Sequence, residues 1–104
     1  MAHRVFFLNR LRDGVDPQEY EDWIRRVDYP IARAQSAIRD YTVTRIEGTL
    51  NGESGSPYDY LEVIEITELD SYRALGSLAE FEQLLQEWSH YVAEAVMIHG
   101  EVIE

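Results

Sequence analysis

Two carboxylates and two imidazoles occupy positions where acid–base chemistry has a use for them. Asp28 stands just before a proline in Val27-Asp28-Tyr29-Pro30, and Glu62 lies inside the apolar run Tyr60-Leu61-Glu62-Val63-Ile64. A carboxyl group held among apolar side chains loses hydration, so its pKa climbs toward neutrality and it can trade protons there. His3 and His99 carry the side chain whose ordinary pKa already lies near neutral. Each has a plain structural alternative. Asp28 is also placed to accept from N–H groups of the turn after Pro30 or to pair with Arg33. Glu62 has a possible ion partner in Arg45 on the neighbouring strand, and a lone strand histidine usually packs with its nitrogens satisfied. His90 falls on the solvated face of its helix, about 180° from Phe81, and is set aside.

The aromatics form a second signal. Trp23, Tyr29, Tyr41, Tyr60 and Trp88 come from segments expected to face the space between helices and sheet. Any one of them is well explained by core packing. As a set they bring N–H and O–H groups that need partners when buried, and rings suited to a flat polar aromatic ligand. Arg33, if turned inward, has the charge to hold an enolate or carbonyl oxygen.

Other chemistries find little support. The 104 residues include no cysteine, so thiol nucleophiles, disulfides and zinc–thiolate sites are out. Two histidines and a carboxylate can make a metal set, yet no local ligand spacing supports one, and neither metal nor organic cofactor is expected. There is no G-x-S-x-G turn, and Ser71 and Ser89 are expected on helices with no base placed to activate them. The glycine-bearing segment 48–57 lacks the Lys-Ser/Thr of a phosphate loop. A formal charge of −11 repels nucleic acid and anionic lipid. No apolar run approaches the ~18 residues of a spanning helix, and the stretch Val5–Leu8 is short for a signal peptide. A soluble, cytoplasmic, single-domain protein over residues 1–104 is the expectation.

The elements that must position these groups follow from periodicity. Residues 4–11 are β-prone and stop at Asp13-Gly14. Asp16 is a good N-cap and Pro17 suits the first helical position. Tyr20, Trp23, Ile24 and Val27 then recur at helical spacing, predicting a helix over about 17–36, kinked by Pro30. With Tyr20 as zero, Asp28 falls at about 80° on the wheel, the edge of the buried stripe. A strand is expected over Tyr41–Glu47, a hairpin loop over 48–57, and a strand over Tyr58–Ile66. Asp70 or Ser71 would cap a short helix ending at Gly76. Ser77 with Glu80 would form a capping box for a helix carrying Phe81, Leu84, Leu85, Trp88, Tyr91, Val92 and Ala95 on one face. A last strand is predicted over about Val96–Ile103.

That order, β-α-β-β-α-β, is the ferredoxin-like α+β arrangement: a four-stranded antiparallel sheet with helices on one face. Both faces of the strands are mainly apolar, the mark of a sheet covered twice. Two helices cover one side only, so a second copy is the simplest cover for the other and a homodimer is predicted.

The architecture resembles the dimeric α+β-barrel superfamily. More narrowly, His3-Arg4-Val5, Gly14-Val15-Asp16-Pro17, Trp23 with Val27-Asp28-Tyr29-Pro30, Tyr60-Leu61-Glu62-Val63 and Phe81 through Trp88 resemble the RedY-like small proteins of prodiginine biosynthesis. The resemblance implies a small-molecule cavity between sheet and helices, used without a cofactor, and an aromatic or pyrrole-type substrate. Three functions are then open. One is cyclisation with loss of water, with Asp28 or Glu62 removing a proton and His3 or His99 returning one. Another is cofactor-free oxygenation of an electron-rich ring. The third is a non-catalytic dimer that shields a reactive intermediate.

Overall fold

A computed structural model describes residues 1–53 and 55–104 of the chain. Ser54, within the expected hairpin loop, lies outside the described residues. Strand β1 (His3–Leu11) leads through Gly14, whose φ of 82° is one that side chains resist. Helix α1 (Pro17–Trp23) starts as its sequence dictates: Asp16 accepts a hydrogen bond from the Gln18 N–H at 2.9 Å, and proline takes the first turn.

The expected kink takes the form of a widened turn. Ile24–Asp28 is π-helical, closed by a bond from the Tyr29 N–H to the Ile24 carbonyl, and α2 (Tyr29–Arg33) continues through Pro30. A proline ring in an unbroken α-helix would strike the carbonyl four residues back. The extra residue in the π turn relieves that clash. It also delays the wheel by part of a turn, which carries Asp28 from the stripe's edge into the interior, where it is 6% exposed.

The sheet contains β2 (Ile38–Arg45), β3 (Tyr60–Ile66), β1 and β4 (Val92–Glu101) in the spatial order β2-β3-β1-β4, each neighbour antiparallel. This is the ferredoxin-like α+β fold. After β3 come α3 (Leu69–Ala74), a 3-10 turn and α4 (Ala79–Tyr91). The caps foreseen for these two helices do not form. Glu68 and Leu78 hold the cap positions with no side-chain hydrogen bond, and the Ser77 hydroxyl turns back to the Ala74 carbonyl. Val92 and Ala95, read as helical, belong to β4, because β1 extends to Leu11 and pairs that residue with Val92. Tertiary pairing has overridden a helical pattern.

Register decides which residues face the helices. Val5 sits opposite Ile64 and His99, Phe7 opposite Glu62 and Met97, and Tyr41 opposite Ile64. These positions look toward α1, α2 and α4, and the core forms there around Tyr20, Trp23, Tyr41, Tyr60, Ile64, Phe81 and Leu84. The opposite face carries Phe6, Leu8, Leu61, Val63, Val96 and Ile98 in adjacent register, with Ile98 51% exposed. No helix of the chain packs there among the described residues.

Candidate active site

Three side chains from three elements converge under the π turn. The Tyr41 hydroxyl of β2 lies 2.6 Å from Asp28 Oδ2 and 2.7 Å from Glu62 Oε1 of β3. Asn9 of β1, fully buried, donates its amide N–H to Glu62 Oε2. Two carboxyl groups, each at most 6% exposed, thus face one another across a phenol.

Burial sets their chemistry. Desolvation pushes Asp28 up to about 6, partly offset by the hydrogen bond from Tyr41 and by the nearby charge of Arg33. Glu62 is pushed up to about 7, again by desolvation first and then by the charge of Asp28, against the hydrogen bonds from Asn9 and Tyr41 and the nearby N–H of Trp88. Desolvation, followed by the charges of the two carboxylates, drives the Tyr41 phenol well above its ordinary range. The pair therefore exchanges protons near neutral pH while the phenol stays protonated.

The cluster opens into a cavity of about 390 Å³ between helices and sheet, a size that suits a small ligand. Phe7, Trp23, Ile38, Ile64, Phe81, Leu84 and Trp88 line it, and Met97 and Leu85, 61% and 45% exposed, stand among the outer lining. The walls are apolar apart from Asp28, Tyr41, Glu62 and a few groups on α3, the following turn and α4. Trp88 Nε1 is buried with no hydrogen-bond partner among the described residues.

The other sequence-derived candidates are distributed elsewhere. Of the proposed ligand-contacting aromatics, Trp23, Tyr41 and Trp88 line this cavity. Tyr29 and Tyr60 line a separate polar cleft of about 320 Å³ with Glu21 and Arg45. Arg33 does not turn inward. It is exposed, stacks 3.6 Å over the Tyr29 ring and donates to the Tyr41 carbonyl at 2.7 and 3.1 Å. Arg45 does not pair with Glu62, because its register partner is Tyr60. It binds Glu21 instead, at 2.6 and 2.7 Å. Asp28 takes neither of its expected structural partners: its hydrogen bond comes from Tyr41, and Arg33 acts on it through charge alone.

His3 and His99 meet each other, Nε2 to Nδ1 at 3.0 Å with stacked rings, on the helix-facing side of β1 and β4 but outside the cavity lining. Among the described residues no three His, Cys, Asp or Glu side chains form a metal-binding group.

Sequence reasoning missed Asn9 and Tyr72. Asn9 was legible as a polar residue sharing a face with Val5, Phe7 and Leu11 in β1. Tyr72, half-buried in the cavity wall, carries a phenol pushed up by burial and by the charges of Glu62 and Asp28; a short polar helix gave no sign of it.

A four-stranded antiparallel sheet whose helices enclose an apolar cavity with a buried acid pair defines the class, an α+β protein of ferredoxin-like fold. The chain belongs to the REDY-like protein HapK family, whose model matches residues 3–103. It is similar to HapK from Hahella chejuensis, at 26% identity and a TM-score of 0.81, over 97% of this chain and 92% of that one. A dimeric ferredoxin-like protein of unknown function from Thermobifida fusca aligns at 22% identity and a TM-score of 0.72, over 98% and 92% of the two chains. A DABB family protein with a ferredoxin-like fold from Mesorhizobium loti aligns at 12% and 0.75, over 99% and 98%. Among curated proteins, none matches the sequence.

Proposed function

We propose that the chain is a cofactor-independent enzyme of secondary metabolism that carries out proton-transfer chemistry, cyclisation with loss of water, on a flat aromatic or pyrrole-type intermediate. The observation that carries this reading is the Asp28–Tyr41–Glu62 cluster opening into an apolar cavity. Such a reaction needs a proton removed at one atom and supplied at another, with water kept away from the reacting ring. Asp28 and Glu62 supply the groups, and Trp23, Trp88 and Phe7 supply the flat walls. Membership of a REDY-like family agrees with a pathway of this type.

The working unit is a homodimer with the two sheets face to face. The apolar face of Phe6, Leu8, Val63 and Ile98 asks for a cover, and the Thermobifida neighbour is described as dimeric.

Incubation of the purified protein with a keto-pyrrole precursor, in air and without it, tests the activity. The expected product has lost water under both conditions, and Asp28→Asn forms it at least about tenfold more slowly. Gain of oxygen only in air would establish a monooxygenase instead. An unchanged precursor, still bound by the protein, would mark a shielding protein.

A further inference from the structure

The Tyr41 hydroxyl lies within hydrogen-bond distance of both carboxyl groups, but it has one proton to donate. Two ionised carboxylates cannot both be satisfied by it, since one would face the bare phenol oxygen at contact distance. The geometry closes only when one carboxyl is protonated and donates to the phenol oxygen while the phenol donates to the other.

The surroundings say which is which. Asp28 has the Arg33 guanidinium as its nearby positive charge. No positive charge among the described residues acts on Glu62, and since its Oε2 accepts from the Asn9 amide, an acid proton held there sits on Oε1, facing Tyr41. The resting chain of bonds therefore runs from the Glu62 acid through the Tyr41 hydroxyl to the Asp28 carboxylate. Asp28 Oδ1 remains without a hydrogen bond from any described residue.

We infer that Asp28, Tyr41 and Glu62 hold one proton in common between the two carboxyls, so that base and acid are present together, and that Tyr41 passes the proton back after each turnover. This rests on the acid–base reading above and names its substrate requirement. Asp28 removes a proton from a C–H or N–H of the substrate, and the electron pair left behind forms the new bond or double bond. Glu62 delivers its proton to the substrate oxygen that departs as water. Asp28 is then protonated and Glu62 ionised. A proton moving from Asp28 to Tyr41, with the phenol's own proton moving to Glu62, restores the start. The cluster keeps a charge of minus one throughout, and no oxidant or further reactant enters.

The Asp28 and Glu62 oxygens that flank the Tyr41 hydroxyl lie no more than about 5 Å apart, the reach of two hydrogen bonds in series. The substrate therefore presents the position that loses a proton and the one that loses hydroxide on one face, close enough together for the two carboxyls to reach both. Trp88 Nε1, unpartnered and near enough to Glu62 to favour its ionised form, is the donor that would hold the departing oxygen. The substrate class is a flat ring compound bearing a hydroxyl, or a hydrated carbonyl, beside an acidic C–H or N–H.

The other groups acting on the pair are Tyr20 on α1, Tyr72 on α3 and Trp88 on α4, with Arg73 at the cavity wall and Arg33, turned outward on α2, felt through its charge. The phenols of Tyr20 and Tyr72 are pushed up by burial, so they stay neutral, and among these groups the carboxyl pair is the part that changes its proton count across neutrality.

Isotope-edited infrared spectroscopy, with labelled Asp or Glu carboxyls, tests this without any substrate. At about pH 6.5, midway through the pair's titration, one buried carboxylic acid per chain is expected, carried by Glu62. Its band should vanish in Glu62→Gln and also in Asp28→Asn, where the Tyr41 hydroxyl becomes free to satisfy an ionised Glu62. Loss in both is the signature of sharing. Either no protonated carboxyl or two in the unaltered protein would overturn the relay, as would a Glu62 acid band that persists in Asp28→Asn. If Glu62→Gln does not fold, the Asp28→Asn spectrum still decides. A positive spectrum without turnover would leave the relay and remove the enzymatic reading; turnover without the shared acid would do the reverse.

Discussion

Asp28 and Glu62 are costly residues to bury, and their cost should appear as a pH dependence of stability. Both have folded-state pKa values raised above the ordinary carboxylate range, to about 6 and about 7. The folded state therefore holds more protons than the unfolded chain between roughly pH 4 and pH 7. Stability is highest at the acidic end of that window and declines as pH rises through it. Replacing Glu62 by Gln removes the ionisation penalty, so the variant should gain stability relative to the parent on going from about pH 5 to pH 8. The expected gain is on the order of 3 kcal/mol, read from urea melts at the two pH values. Glu21 behaves in the opposite sense. The hydrogen bonds from Arg45 hold it down to about 2, so that contribution is present above pH ~4.5 and fades toward pH 2; Arg45 is exposed to solvent, which screens the pair and keeps its contribution small. Turnover should separate the residues in a third way, with Asp28→Asn reducing kcat at least about tenfold and Asn9→Ala acting through Glu62 by displacing the pH optimum.

The elements place these residues through two local devices. Asp16 and Pro17 start α1, and Asp16→Ala should lower stability by about 1 kcal/mol, seen as a lower Tm with the far-ultraviolet spectrum unchanged. The π turn then rotates Asp28 inward. A proline was readable as a kink, but whether a helix relieves it by bending or by widening depends on what each face packs against. Here Tyr20 and Trp23 on one side and Ala32 on the other all have to reach the same core, and the added residue keeps both segments in register with it. The boundary between α4 and β4 shows the same limit. Residues 81–95 satisfy a helical period throughout, yet the chain leaves the helix at Tyr91, whose carbonyl accepts the Arg12 N–H at 2.8 Å. Pairing with the far end of β1 is worth more to Val92 than another helical turn, and helical spacing alone cannot register that competition.

At the scale of the whole molecule, the uncovered sheet face dominates. Phe6, Leu8, Leu61, Val63, Val96 and Ile98 form an apolar field bordered by the Arg4–Glu65 and Arg10–Glu94 pairs, too contiguous to be scattered surface residues. Ile98→Lys should yield a species that sediments as a single subunit and keeps its far-ultraviolet spectrum. With −11 formal charge on each copy, the parent's self-association should tighten as salt is added, because screening weakens the repulsion between copies. A subunit that stays single at all concentrations would remove the face-to-face dimer.

Alternation and helical spacing were enough to specify the βαββαβ order, the two apolar sheet faces and a carboxylate embedded in an apolar strand, because each is a property of neighbours in sequence. The pairing of Asp28, Tyr41 and Glu62 is of another kind. These residues stand 13 and 21 positions apart along the chain, and their meeting depends on a widened helical turn, a strand register and separations held to tenths of an ångström. The same holds for Arg45, which a pattern assigned to Glu62 and the register delivered to Glu21. Periodicity tells a side chain which face it occupies. Only the packed elements determine whom it meets there, since hydrogen bonding falls away steeply over distances far shorter than any repeat of the backbone.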